Sequence, residues 1–395
     1  MEKVRLGDIV KKTITGEWGA EIKNDINDIY VIRTADFNND GTINYENILK
    51  RNIKKDKINE KKLEIGDIIV EKSGGTDKNP VGRVVFFNKK DYLCLANNFT
   101  QVIRIKENIN SKYIFYNLLY LYKKGNTLKM FNKTTGIQNL QMKQFLFQKI
   151  NLISLNEQNK IVNILDKVQE IIDLRKKQIE ELEKIIKLQF IEMFGDPNIV
   201  KNDEKIELKK IMINANNGMA RRGNDSDGNI VLRLVELQRN YINYANVNRI
   251  ILKDNEKKKY LLSQGDILFA RVNGNPDNVG RCAYFKDIGE NVYHNDHIIR
   301  VKFDLGKINP IYLCILLNDE YGKSEFKNKI KTSAGQYTIS QDGIGKVEIL
   351  LPPIELQNKF ADFVNQINKQ KIIIEKSLKE TEELKESLMN KYFRD

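Results

Sequence analysis

Two stretches of the chain place a side chain on one helical line for longer than a small core needs. From Ile161, the positions Leu165, Val168, Ile172, Arg175, Ile179, Leu182 and Ile186 step by four and three in alternation. That spacing makes a coiled-coil seam with one charged interruption. Phe360, Val364, Ile367, Lys371, Ile374, Leu378 and Thr381 follow the same steps, and Leu384, Leu388 and Tyr392 prolong them with a register shift. Glu and Lys fill most other positions, and no proline interrupts either run. Each run predicts one long helix, and about 38 residues at 1.5 Å per residue reach about 57 Å. A seam needs a partner. The expected arrangement is the two helices paired with each other, antiparallel, with pairing to other chains left open by the pattern itself.

The segments before the helices alternate differently. Leu63 to Val70 and Leu261 to Phe269 look like strands entered by a Gly-Asp turn, and further strands are expected after Val81 and Val279. Tyr113 to Tyr122 and Ile311 to Leu317 are apolar enough for buried helices in corresponding places. The correspondence is a repeat. GDIIVEKSGGTDKNPVGRVVFF from Gly66 meets GDILFARVNGNPDNVGRCAYF from Gly265, and Thr134-Thr135-Gly136 meets Ser333-Ala334-Gly335. Glu157-Gln158-Asn159-Lys160 meets Leu356-Gln357-Asn358-Lys359, and Phe194-Gly195-Asp196 meets Phe393-Arg394-Asp395. An offset near 199 residues is a duplicated domain and not a solenoid unit. The expected organisation is a globule at 1–154, a helix at 155–196, a second globule at 197–351 and a second helix at 352–395. The fold class is α+β, with two duplicated mixed globules separated by two long helices that form an antiparallel coiled coil.

Charge follows this division. The 395 residues carry 66 Lys+Arg against 53 Asp+Glu, a net +13. The first globule holds 27 basic and 17 acidic residues and the second 24 and 19, while the central helix holds 7 and 9 and the last helix 8 of each. The excess therefore lies in the globules, where it suits a polyanionic partner. Residues 101–150 alone carry nine basic residues against the single acid Glu107. The start of the chain has no apolar stretch of the kind a secretion signal needs, and nowhere do eighteen apolar residues run together. The expected location is the cytoplasm, with no membrane partner. Cys94, Cys282 and Cys314 are far apart and read as buried thiols.

Catalytic patterns are missing. The only Pro-Pro, Leu351-Pro352-Pro353-Ile354, is not the Asn-Pro-Pro-aromatic loop of amino-methyltransferases. Gly322-Lys323-Ser324 resembles the end of a P-loop, but Leu317 stands where its first glycine belongs. Pro276-Asp277 with Glu325-Phe326-Lys327 makes a poor nuclease triad that the first copy lacks. His294 and His297 flank Asp296 without a cysteine near, which favours a structural or DNA-facing role over a metal site. Trp18 reads as a core or edge residue. No catalytic residue and no metal ligand is assigned.

In this order, and twice over, the GDI and VGR elements, the Thr135-Gly136 and Ala334-Gly335 loops and the Pro352-to-Gln357 approach to the helix resemble the specificity (S) subunits of type I restriction-modification systems. The resemblance spans essentially the whole chain. It departs at the helix starts, where Ser154-Leu155 faces Leu351-Pro352-Pro353 and Glu157 faces Leu356. It implies a non-catalytic subunit whose globules each read one half of a split target in double-stranded DNA. The helices would set the gap and dock methyltransferase (M) subunits, expected to be two, together with restriction (R) subunits. S-adenosylmethionine, ATP and Mg would belong to those partners, with none in this chain, and the setting would be DNA methylation and phage defence.

Base reading needs Arg, Lys, Asn or Gln at base edges with cations on phosphates. In the first copy Lys129, Lys133, Thr134, Thr135, Gln138, Asn139, Gln141 and Lys143 supply this chemistry. In the second, Lys327, Lys329, Lys331, Thr332, Ser333, Gln336 and Tyr337 occupy the matching stretch; Arg221 and Arg222 add a flexible Arg pair, and Arg271, Asn273 and Asn275 another polar turn. Arg83 and Arg281 recur in both copies, which suits scaffold or phosphate better than the reading of two different half-sites. Half-sites are expected about one DNA turn, or a multiple, apart. The sequence leaves open a subunit of a methylation-only complex, a stand-alone DNA-binding regulator, or a scaffold for RNA or acidic proteins.

Overall fold

The computed structural model describes residues 2–89, 92–134, 136–199, 205–333 and 335–394. The chain divides into two compact units. One comprises residues up to Lys176 together with those from Lys376 onward, and the other runs from Lys177 to Glu375. Each unit thus holds one globule and a segment of each long helix.

In the first unit a four-stranded antiparallel sheet has the order Val10–Thr15, Thr100–Ile105, Ile68–Glu71, Val84–Phe86. Its residues alternate between two cores, as the pleat requires. Ile68, Val70, Val84 and Ile103 face one apolar cluster, while Ile69, Val85 and Val102 face another. With both faces covered, the strand Ile68–Glu71 is buried throughout and reads as apolar up to its last residue, Glu71. A second sheet, ordered Leu49–Asn52, Asp28–Ile32, Cys94–Ala96, pairs its last two strands in parallel. The helix Ser111–Lys123 is capped by the Asn110 side chain and buried from Tyr113 through Tyr120. It lies in the cluster that also holds Val162, Leu165, Met389 and Phe393 of the long helices.

The second unit repeats this plan. Its four-stranded sheet is ordered Met212–Asn217, Ile298–Phe303, Ile267–Ala270, Cys282–Tyr284, and its three-stranded sheet Arg249–Ile250, Asn229–Leu232, Val292–His294. The helix Pro310–Asn318, capped by Asn309, takes the place of Ser111–Lys123. The strands start later than the sequence suggests, at Ile68 and Ile267, because the preceding residues form a turn. Gly66 and Gly265 have φ of 96° and 86°. The next side chains close these turns: Asp67 accepts from the Glu64 amide and Asp266 from the Ser263 amide, both at 2.8 Å. The Val-Gly-Arg glycines have an equally local cause. At Gly82 and Gly280 φ is 99° and 82°, and an added Cβ would lie 2.7 Å from the Thr127 side chain or the Phe326 ring. Only glycine fits there.

The long helices run Leu155–Phe194 and Ile354–Phe393. Within the first unit Arg175 donates to the Ser377 carbonyl at 2.7 Å and Lys385 to Gln169. Within the second, Lys371 pairs with Glu183, and Ile186 and Phe190 pack in the cluster of Phe360 and Val364. In both units one segment ascends in number as the other descends, so the pairing is antiparallel. The charged seam residues Arg175 and Lys371 are therefore held by partners on the opposite helix. One expectation fails. Leu384 is 50% exposed, and the buried line beyond Thr381 runs through Lys385, Met389 and Phe393. Steps of four rotate the stripe around the helix and carry it onto the globule, where Phe393 meets Tyr113 and Tyr120 at 5.4 and 6.1 Å.

The two helix starts solve one problem differently. Ser154 and Glu157 form a reciprocal capping box, each accepting from the other's backbone N–H. In the second copy Pro352 and Pro353 precede the helix, Leu356 needs no carboxylate, and the Leu356 amide bonds the Pro353 carbonyl at 3.0 Å.

Candidate nucleic-acid interface

Each globule carries a projecting hairpin where the sequence places its polar loop. In the first unit Phe131–Thr134 pairs with Ile137–Leu140, matching Asn132 to Asn139 and Lys133 to Gln138. Gly136 turns the tip with φ 83°. A short third strand, Ser73–Gly74, pairs with Gln138 and Asn139. Its counterpart in the second unit is Lys331–Ser333 with Gln336–Thr338, tip Gly335 at φ 77°, supported by Val272–Asn273. The third strands escaped the sequence reading because two residues are too few to show a period. Their signal is that Ser73-Gly74 and Val272-Asn273 sit just past equivalent strands.

The candidate residues divide by what their side chains already do. Lys129 and Lys143 are exposed, and Lys133 is exposed with a loose partner in Asp77 at 3.1 Å. Asn139 shares a 2.6 Å hydrogen bond with the Ser73 hydroxyl, and Gln141 donates to Asn132 at 2.8 Å. Gln138 differs: it is buried and its side-chain oxygen accepts from the Val81 amide at 3.1 Å, which fastens the hairpin to the Val-Gly-Arg loop. Thr135 lies outside the described residues, and for Thr134 the structure describes the strand position only.

In the second unit Lys331, Thr332, Gln336 and Asn275 are exposed, and Tyr337 and Asn273 are half-buried. Ser333 ends its strand. Lys329 is tied to Glu325 at 2.9 Å. Asn273 and Asn275 shape their own loop, accepting from the Asn275 and Asp277 amides. Arg271 donates to the Asp296 carbonyl at 3.0 Å, and its own carbonyl accepts from Ile339, so it joins the loop to the hairpin. Arg221 is paired bidentately with Glu256, and that bond lowers the pKa of the carboxyl. Arg222 is more exposed and meets Asp296 at 2.7 Å. The structure thus gathers Arg271, Asn273 and Asn275 with the hairpin and Arg222 with the Asp296 loop, while Arg221 is held by Glu256 and the Ile251 carbonyl.

His294 is wholly buried, its Nδ1 facing the Tyr260 carbonyl at 3.2 Å, which makes it a core residue. Gly322-Lys323-Ser324 lies inside the helix Glu320–Lys327, with Lys323 on Glu320. Among the described residues no three His, Cys, Asp or Glu side chains come together as a metal site, and no helix is long and apolar enough to cross a membrane.

A duplicated globule with a cationic hairpin, mounted on helices that pair antiparallel, is the architecture of a DNA-specificity subunit. The chain belongs to that family: residues 1–184 and 202–386 each match the model of the type I restriction modification DNA specificity domain. It is 28% identical over 350 residues to the type I restriction enzyme StySPI specificity subunit of Salmonella potsdam, covering 84% of this chain and 75% of that one. It is 25% identical over 353 residues, with the same coverage, to the EcoKI specificity subunit of Escherichia coli K12. Among solved structures, the type I S subunit from M. genitalium shares the fold over 100% of this chain and 96% of its own, with a TM-score of 0.59 at 16% identity.

Proposed function

We propose that this chain is the non-catalytic sequence reader of a type I restriction-modification complex. Each unit reads one half of a split site in double-stranded DNA, and the chain docks the methyltransferase and restriction subunits. The observation that carries this is the duplication itself: two family-matching globules present equivalent hairpins whose exposed side chains differ. Shared backbone with divergent tips is what two readers of unlike half-sites require. On this reading Lys129, Lys133, Lys143 and Lys331 hold phosphate, and Asn139, Thr332, Gln336 and Tyr337 meet base edges. Adenine methylation, ATP-driven translocation and cleavage, with their S-adenosylmethionine, ATP and Mg, fall to the partner chains.

Methylation sequencing of genomic DNA tests this in cells carrying the neighbouring methyltransferase, with and without this chain. A split motif modified only in its presence is expected. No motif, despite a folded chain and an active methyltransferase, overturns the proposal in favour of a regulator or scaffold.

A further inference from the structure

The arginine shared by the two Val-Gly-Arg motifs does different work in the two units. In the first, Arg83 donates Nε to Glu71 at 2.7 Å and Nη2 to the Thr34 carbonyl at 3.0 Å; Glu71 is 2% exposed. The charge is neutralised on the spot. The second unit preserves the frame. The Ala270 amide donates to the Arg281 carbonyl as Glu71 does to Arg83, Gly280 donates back to Ala270 as Gly82 does to Glu71, and Arg281 Nη2 donates to the Leu234 carbonyl at 2.8 Å. The carboxylate, however, is gone, because Ala270 stands at the position of Glu71.

A second cation takes its place. Counting from the matching Arg33 and Arg233, Arg239 occupies the position of the uncharged Asn39. The Asn240 amide bonds the Cys282 carbonyl at 2.9 Å and so draws Arg239 alongside Arg281. Arg239 donates only to carbonyls, those of Asn318 at 3.3 Å and Asp277 at 2.6 Å. Among the described residues no carboxylate pairs with either guanidinium. Glu320, which feels the charge of Arg239, is engaged by Lys323 at 2.5 Å, and Asp319 by Lys187 at 3.3 Å. Burial, and then the charge of Arg239, lowers the pKa of Arg281, as expected of a cation without its anion. Both side chains are half-buried; the Arg281 Nε is enclosed and bonds nothing among the described residues, so an external group would meet the guanidinium ends. The pair also stands at the root of the candidate loop: Ala270 precedes Arg271, and Arg239 holds the Asp277 carbonyl beside Asn275.

We propose that Arg239 and Arg281 form a phosphate clamp for the DNA backbone, present in the second unit only, while Arg83 is a structural residue. The inference rests on the DNA-reading function above. An anion between two guanidiniums accepts charge-assisted hydrogen bonds and supplies the negative charge that Glu71 provides in the first unit.

The test measures binding of a duplex carrying the methylated motif by this chain assembled with its methyltransferase subunits, as a function of salt. Arg239→Gln, which leaves an amide donor, and Ala270→Glu, which restores the carboxylate of the first unit, should each reduce the slope of log K against log salt by about 0.9 for each phosphate lost. Arg83→Gln should lower the melting temperature and leave the slope alone. Unchanged slopes in Arg239→Gln and Ala270→Glu complexes that melt as the wild type does overturn the inference. An unchanged slope with lost methyltransferase assembly also overturns it, because the pair would then serve an acidic protein surface. A wild-type complex that binds no duplex overturns the proposed function and this clamp together.

Discussion

At the scale of single residues, the two histidines show how little residue type says without burial. His297 sits 3.5 Å from Arg222 near the surface, whereas His294 is enclosed against Tyr260 and Arg300. Burial first, and the Arg300 charge second, hold the His294 imidazole at about 4. An unfolded chain takes up that proton near the usual 6.5. Between these values the unfolded state binds more protons, so this contribution is complete above about pH 6.5 and is lost as the pH falls toward 4. Urea unfolding of wild type and His294→Gln at pH 7 and pH 4.5 checks this: the variant should be weaker at pH 7 yet lose less on acidification. Parallel losses in the two proteins would remove His294 as the cause. What distinguishes the two rings is the enclosure of His294 against Tyr260, which lies 34 residues earlier in the chain.

At the scale of elements, the repeated Gln-Asn pair is a bolt between the start of each long helix and the cap of the preceding one. Gln158 accepts from the Asn110 amide at 2.9 Å and donates to the Ile153 carbonyl at 2.8 Å; Gln357 makes the same bonds with Asn309 at 2.8 Å and Pro352 at 2.7 Å. Asn159 and Asn358 each accept from the capping asparagine. Gln158→Leu should therefore cost about 2 to 3 kcal/mol by stranding two backbone groups, Gln357→Leu at least as much because its amide also serves the Lys307 carbonyl, and the exposed Asn159→Ala under about 1 kcal/mol. Chemical denaturation measures both, and an equal cost for Gln158→Leu and Asn159→Ala would refute the bolt. The repeat was visible in the sequence as a motif, but its partners, Asn110 and Asn309, lie about 48 residues earlier. Periodicity served the long helices well until Thr381, where packing on the globule replaced the two-helix seam and buried Lys385 in place of Leu384. The hairpin candidates were legible as polar runs between elements. That Gln138 faces inward and Arg221 is engaged depends on Val81 and Glu256, which no local pattern connects to them.

At the scale of the whole molecule, each unit is completed by the tail of the other copy. In the first unit Phe393 packs on Tyr113; in the second, Phe194 meets Tyr312 at 4.8 Å. Tyr113 and Tyr312, like Phe194 and Phe393, are equivalent at the same 199-residue offset. One copy alone therefore leaves its own tail unplaced and its own core uncovered, with Val162, Leu165 and Tyr113 lacking Met389 and Phe393. A second identical copy supplies what is missing, because Phe190 and Phe194 can take the places of Met389 and Phe393, and the exchange closes with two-fold symmetry. Residues 1–196 expressed alone should form a dimer, measurable by sedimentation equilibrium. Phe190→Ala should shift it toward monomer, since Phe190 is 6% exposed and truncating a buried phenylalanine costs about 3 to 5 kcal/mol at each of two equivalent sites. A folded monomeric fragment would show that the tail exchange is dispensable. On the proposed function, such a dimer bound to methyltransferase carries two copies of one reader, and methylation sequencing should return a split motif whose half-sites are identical and inverted.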